Sequence, residues 1–324
     1  MRGLFLAALA VCVSVAAGQQ TPVVQPGEKP AQAEPSTKAE KIYDEGADAQ
    51  QLIDAALAKA KKNNRRVLIQ WGANSCVWCR LLHGTFASDK EIKKELQYEY
   101  DVVLVDVEHL DKNMERAGKL GADLKKHGLP YLTVLGADGK VVANQDTGEL
   151  ELKGEVEGHD RDKVMKFLAA HQAEHQQAEG VLSAGLAAAA KEHKRVFLHV
   201  GAPWCPWCHV LENWMEKPEV AAVLGKDFVD VKIDQDRMVG ASAVVQRFRE
   251  TPGGIPWFCV LGEDGKVICT SEGAKGNIGF PGEPAEIEHF VGMMNKSRKK
   301  MSEADVGVLK DTLERDNRKD AGHG

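Results

Sequence analysis

One stretch occurs twice in this chain, and it limits the fold more than any other feature. Residues 196–200 form an apolar run of buried-strand length, Gly201-Ala202-Pro203 interrupts it, and Trp204-Cys205-Pro206-Trp207-Cys208 follows. Val210, Leu211, Trp214 and Met215 then recur at helical spacing. The pattern predicts strand, tight turn, Cys-x-x-Cys, helix. Earlier in the chain, residues 67–71, Gly72-Ala73-Asn74-Ser75 and Cys76-Val77-Trp78-Cys79 repeat it. Gly128-Leu129-Pro130-Tyr131 answers Gly254-Ile255-Pro256-Trp257, and Ala137-Asp138-Gly139-Lys140 answers Glu263-Asp264-Gly265-Lys266, all in register. The repeat is of domain size, so the chain is a tandem duplication rather than a solenoid.

The motif places Cys205, and Cys76 in the first copy, at a helix N-terminus. Unpaired N–H groups and the helix dipole favour negative charge there, and the thiolate is the reactive form of cysteine. Pro206 suits a first helical turn because it lacks the N–H that would go unpaired. The two-residue spacing lets Cys208 and Cys79 reach back and close disulfides. The motif therefore reads as a dithiol that exchanges with other disulfides.

The length of 324 residues suits two domains, and a 43% hydrophobic content suffices for two cores. A net charge of −6 with no basic block gives no sign of nucleic-acid binding. Met1-Arg2 followed by an apolar run over 4–17 and small residues up to Gly18 reads as a cleaved signal peptide, too short for a membrane span. The expected mature protein is periplasmic or secreted, with no transmembrane segment. Cys12 lies in the apolar run, but Val11 before it is a poor lipidation signal. The other six of the seven cysteines are Cys76, Cys79, Cys205, Cys208, Cys259 and Cys269. That is sparse for a disulfide-stapled fold, so packed cores must hold the domains.

The expected organisation is a signal peptide over 1–18, a disordered Pro/Gln/Glu/Ala-rich linker over 19–44, one domain over 45–177, a second over 178–298, and a C-terminal helix with a polar tail over 299–324. Each domain reads α-β-α-β-α-β-β-α. The fold class is α/β, with a mixed sheet flanked by helices, the first strands parallel and the last pair a hairpin around Asp138-Gly139 or Asp264-Gly265.

On these motifs, over about 45–298, the chain resembles the thioredoxin family. Trp204-Cys205-Pro206-Trp207-Cys208-His209 is most similar to an exported subgroup with a W-C-x-x-C-H start, itself similar to the thioredoxin-like domain of the spermatogenesis-associated proteins. The resemblance implies cis peptides before Pro130 and Pro256, each facing its disulfide and offering backbone to a substrate strand. It implies a thiol–disulfide oxidoreductase in which Cys205 and Cys76 attack and Cys208 and Cys79 resolve. The partners would be protein thiols and disulfides and an upstream redox protein, with no cofactor and no metal. Two departures stand out. The family carries a buried acid six residues before the first cysteine; here Gln70 and His199 stand there, and of the two only His199 can accept a proton near neutral pH. Ser75 replaces the tryptophan that Trp204 supplies in the second copy.

Rival readings exist. A non-catalytic binding protein would keep the fold and use the cysteines structurally. Cys205-Pro206-Trp207-Cys208-His209 also spells a haem attachment motif, yet the first copy ends in Arg80. Two cysteine pairs could hold zinc, but each pair opens its own copy. His199 could equally be a hydrogen-bonded core histidine. Finally, a three-residue loop in 262–266 would pair Leu261 with Val267, Val260 with Ile268 and Cys259 with Cys269, which predicts a structural disulfide in the second copy only. The same count pairs Thr133 with Ala143 in the first copy.

Overall fold

A computed structural model describes residues 41–154 and 157–320. The signal peptide, Cys12 and residues 19–40 of the expected linker lie outside the described residues. The first copy runs α1 (Ala49–Asn63), β1 (Arg66–Gly72), α2 (Val77–Ser88), α3 (Lys90–Glu99), β2 (Tyr100–Asp106), α4 (Met114–Lys119), α5 (Leu124–His127), β3 (Tyr131–Leu135), β4 (Val141–Asp146) and α6 (Arg161–Ala170). The second runs α7 (Ala178–Glu192), β5 (Arg195–Gly201), α8 (Pro206–Met215), α9 (Pro218–Leu224), β6 (Phe228–Asp234), α10 (Ala241–Phe248), β7 (Trp257–Leu261) and β8 (Val267–Thr270). A two-residue ribbon of β9 (Glu272–Gly273) and β10 (Gly276–Asn277), then α11 (Pro284–Ser297) and α12 (Glu303–Asp320), complete it.

Each copy builds one four-stranded mixed sheet, ordered β2-β1-β3-β4 and β6-β5-β7-β8. β1 and β5 are the parallel partners of β2 and β6, and the antiparallel partners of β3 and β7. These central strands are buried on both faces, which is why they read as continuous apolar runs rather than alternating ones. On one face of the first sheet, α1 packs Ile53, Ala56 and Ala60 on Val67, Ile69 and Trp71. On the other, Leu82, Ile92, Leu96 and Phe167 cover Leu68, Leu132 and Val134. The second sheet is covered in the same way, with Leu182 and Ala189 on one face and Leu211, Trp214, Phe290 and Met294 on the other.

Four features differ from the sequence reading. The helices after α2 and α8 were not anticipated. Asp89 ends α2 and caps α3, its carboxylate accepting from the Glu91 and Ile92 amides at 3.0 Å, and Pro218 ends α8 and also opens α9 at the one position where its missing N–H costs nothing. The single helix expected between the second and third strands of the first copy is broken into α4 and α5 at Gly121, whose φ of +72° no helix tolerates. Residues 41–44, placed in the linker by composition, are docked: the Ile42 and Tyr43 amides donate to Asn74 Oδ1 at 2.9 and 3.0 Å, and Tyr43 is 1% exposed. The segment after 298 is also part of the second core, because Leu309 and Leu313 are buried in it and Asp227 accepts from the Lys299, Lys300 and Met301 amides at 2.7–2.9 Å.

The expected Cys259–Cys269 disulfide is corrected by the register. Leu261 pairs with Val267 as counted, but a bulge after that pair absorbs Ile268, so Val260 faces Cys269 and Cys259 faces Thr270. Successive strand residues point to opposite faces, so Cys259 enters the core under α7 while Cys269 packs beneath α11, and both are free thiols. The first hairpin carries the same bulge, which pairs Thr133 with Asn144 rather than Ala143.

The two copies meet across a polar seam. Arg237, between β6 and α10, donates to Glu99 at 2.7 and 3.0 Å and to the Asn63 and Asn64 carbonyls at 2.9 Å. Arg237 is 5% exposed and Glu99 3%, so the two charges are held by each other, by the Asn63 and Asn64 carbonyls and by His175, whose Nε2 lies 3.1 Å from Glu99 Oε1.

Candidate active sites

In both copies the buried central strand runs into a turn and then a helix, and the first cysteine caps that helix. Cys76 Sγ accepts from the Cys79 amide and Cys205 Sγ from the Cys208 amide, each at 3.1 Å. Both pairs are disulfide-bonded, with Cα atoms 5.3 Å apart. The second cysteines are buried, Cys79 at 0% and Cys208 at 2%. The first cysteines differ: Cys76 is partly exposed and Cys205 is only 2% exposed.

The Leu129–Pro130 and Ile255–Pro256 peptides are cis. Cys205 Sγ stands 3.6 Å from the Ile255 carbonyl oxygen, which brings the second pair and its proline together. Each proline loop is pinned by a residue that sequence reasoning missed. Thr147 donates to the Pro130 carbonyl, while Asn277 Nδ2 donates to the Gly254 and Pro256 carbonyls at 2.9 and 2.8 Å. Arg249 adds bonds to the Gly253 and Gly254 carbonyls at 3.1 Å. No local pattern marks Thr147 or Asn277, since each acts across about twenty residues of intervening chain.

Beneath each second cysteine lies a niche that exists because the strand ends in glycine. A Cβ on Gly72 would overlap Tyr43 Oη and stand 2.8 Å from Cys79 Sγ. A Cβ on Gly201 would lie 3.5 Å from Cys208 Sγ and 3.7 Å from Glu212 Oε1. The polar group in the niche is thus a phenol in the first site and a carboxylate in the second. Glu212 is paired with Lys232 at 2.6 Å, and Lys232 also donates to Asn63 Oδ1 of the first copy at 2.8 Å. Glu212 lines a cleft of about 480 Å³ between the copies, with Lys59, Lys62 and Asn63 opposite. It lies one helical turn beyond Cys208, which is the signal that could have found it.

Gln70 and His199 occupy the positions of the missing acid. Gln70 is fully buried and donates to Tyr43 Oη at 2.7 Å and to the Cys79 carbonyl at 3.3 Å. His199 is 2% exposed, with Nε2 3.1 Å from Asp230 Oδ1. His209 is exposed and its Nε2 lies 3.0 Å from the Pro203 carbonyl oxygen.

The aromatic residue between the cysteines is also braced differently in each copy. Trp207 stacks on Phe280 at 6.4 Å, and Trp78 meets His159 edge-on at 5.7 Å. His159 is 6% exposed, neither ring nitrogen has a partner among the described residues, and burial pushes its pKa down to about 4. Trp204 is 47% exposed and donates to Asp236 Oδ2 at 2.8 Å, which also accepts from Tyr98 of the first copy at 2.9 Å. The Cys259 thiol is fully buried, and burial raises its pKa well above the ordinary thiol range.

A mixed sheet, a cysteine pair opening the helix after its central strand, and a proline before the next strand define two thioredoxin-like domains. Family comparison agrees: a thioredoxin-like family model matches 48–137, and a DsbH-type thioredoxin model described as a protein of unknown function, DUF255, matches 162–310. Human spermatogenesis-associated protein 20 is 37% identical over 71 residues, which are 21% of this chain and 9% of that protein, so the likeness spans about a tenth of its length. Among solved structures, the disulphide isomerase of Xylella fastidiosa Temecula1 is 29% identical over 41% of this chain and 97% of that one, with a TM-score of 0.35. A DsbH oxidoreductase is 21% identical over 44% and 93%, with a TM-score of 0.28. No helix among the described residues is long and apolar enough to cross a membrane.

Proposed function

We propose that the chain is a thiol–disulfide oxidoreductase of an exported compartment that exchanges disulfides with protein substrates through both cysteine pairs. The observation that carries this reading is the geometry of each pair, a disulfide across a first helical turn with the second cysteine buried and a backbone N–H aimed at the first sulfur. The N–H and the helix dipole stabilise a thiolate at Cys76 and Cys205, the form that attacks. Attack on a client disulfide makes a mixed disulfide and releases one client thiolate. Cys79 or Cys208, as thiolate, then attacks the first cysteine's sulfur. The bond to the client breaks, the second client sulfur leaves with the electron pair and takes up a proton, and the enzyme dithiol becomes a disulfide. The reverse sequence oxidises a client dithiol.

Pro130 and Pro256 shape the groove in which the client strand lies. An upstream redox protein resets the pairs, and the signal-like N-terminus supports export. The test is trapping. Cys79→Ala and Cys208→Ala are expected to accumulate mixed disulfides with client proteins, whereas Cys76→Ala and Cys205→Ala are not. Equal trapping by all four would overturn the roles, and a wild-type protein that neither reduces nor oxidises a peptide disulfide would leave a binding scaffold instead.

A further inference from the structure

We propose that Tyr43 is a positioning residue of the first site, its hydroxyl donating a hydrogen bond to Cys79 Sγ and holding the resolving cysteine as a thiolate in the reduced protein. This rests on the oxidoreductase reading above and adds to it a residue that lies outside the repeated motif. Tyr43 belongs to the segment before α1. Asn74, two residues ahead of Cys76 in the active-site turn, clamps that segment by accepting from the Ile42 and Tyr43 amides and donating to the Tyr43 carbonyl at 2.9 Å. The ring enters the core and its hydroxyl fills the space that a side chain on Gly72 would take, and Cys79 Sγ borders the same space, 2.8 Å from where that Cβ would stand.

The direction of the bond follows from the hydrogen-bond inventory. The Cys79 carbonyl can only accept, so the Gln70 amide nitrogen, 3.3 Å from it, is fixed as the donor. The same nitrogen lies 2.7 Å from Tyr43 Oη, so the phenol oxygen accepts there. No other hydrogen bond of the hydroxyl is found among the described residues, so its proton is left to point elsewhere. A buried hydroxyl without an acceptor is costly, and Cys79 Sγ borders the same niche. Burial also raises the phenol's own pKa, with a smaller contribution from Asp106, so it stays protonated as a donor. Asp106 is itself paired with Lys112 at 3.3 Å.

During exchange, the Cys79 proton passes to solvent. The thiolate attacks Cys76 Sγ, the Cys76–client bond breaks, and the client thiolate leaves and is protonated from water. Tyr43 takes no proton at any point; it lowers the free energy of the thiolate that attacks. The first site thereby does with a donor what a buried acid does by accepting a proton.

The test uses the full chain carrying Cys205→Ala and Cys208→Ala, equilibrated with glutathione between about pH 6 and pH 10, the range in which thiols ionise. Tyr43→Phe is expected to move the equilibrium about tenfold toward the first-site disulfide at the alkaline end, and to raise the pH at which Cys79 ionises by about one unit, the size of one hydrogen bond to a charged acceptor. A 3-fluorotyrosine placed at position 43, a stronger donor, is expected to move both the opposite way, and it carries the test if Tyr43→Phe does not fold. Unchanged equilibria, or shifts of the same sign for both substitutions, would overturn the role of Tyr43 while leaving the exchange activity standing. A parent protein that does not equilibrate with glutathione would overturn the oxidoreductase reading, and the role of Tyr43 with it.

Discussion

The two sites share a backbone and differ in almost every side chain that touches it. The first has a partly exposed Cys76, a phenol under Cys79 and a histidine behind Trp78. The second has a covered Cys205, a carboxylate and lysine near Cys208 and a phenylalanine behind Trp207. Duplication preserved what the reaction geometry needs, namely the helix start, the cysteine spacing and the proline turn. It left free the side chains packed around each sulfur. Ser75 and Gln70 depart from the family pattern in the first site, yet its attacking sulfur is the more accessible one, since Cys76 is partly exposed and Cys205 is 2% exposed.

The largest expected effect separates the niches by charge. Glu212→Gln leaves the Lys232 ammonium, 17% exposed, without its carboxylate, and is expected to cost about 3 kcal/mol in urea unfolding of the oxidised protein. Changing Lys232→Met together with Glu212→Met should restore most of that. His83, one turn beyond Cys79 and so the counterpart of Glu212, is partly exposed, and His83→Gln should change stability by no more than about 0.5 kcal/mol. Comparable losses in the two copies would erase the distinction.

A smaller difference is expected from the glycines. Gly72→Ala forces a methyl into Tyr43 and should cost about 2 kcal/mol, in the range for overpacking. Gly201→Ala meets Cys208 Cβ at 3.3 Å, a contact the helix can relieve by a slight shift, and should cost about half as much. Melting temperatures of the two variants, measured side by side, decide it.

At neutral pH the smallest difference is a pH dependence confined to the first site, which grows only on acidification. Burial holds His159 neutral down to about pH 4, whereas the unfolded chain takes up that proton near its ordinary value of 6.5. Below about 6.5 the unfolded state binds more protons, so the stabilisation from keeping His159 neutral is complete above that pH and is lost as pH falls toward 4. Urea-unfolding stability should fall through this window, Trp78 emission of the native protein should change only near pH 4, and both dependences should be lost in His159→Phe. A shift that persists in that variant would place the titrating group elsewhere.

The repeated motif, the hairpins and the central strands were legible because each is a local pattern of apolar residues, cysteines and turn glycines. The pieces that distinguish the sites were not. Tyr43 sits beside a Pro- and Gln-rich stretch whose composition hides it, and its hydroxyl partner Gln70 is 27 residues away. The hairpin bulges carry no glycine or other signal at the absorbed residue. One extra residue there moved Cys269 to the opposite face from Cys259 and undid a disulfide that correct turn counting had predicted. Asp89 and Pro218 each close one helix while starting another, and a residue with both roles leaves no separate start signal in the sequence.

The seam at Arg237 has a consequence for inheritance. A gene duplication begins with two copies that can each be lost, shuffled or passed on alone. With Arg237 of the later copy burying its charge on Glu99 and the carbonyls of the earlier one, and Lys232 donating to Asn63, the later copy on its own would lose all of these partners. Excision would strand the Arg237 guanidinium without Glu99 and the two carbonyls, and would leave Lys232 with Glu212 as its partner. The pair is therefore one heritable unit with two mouths rather than two enzymes on a string.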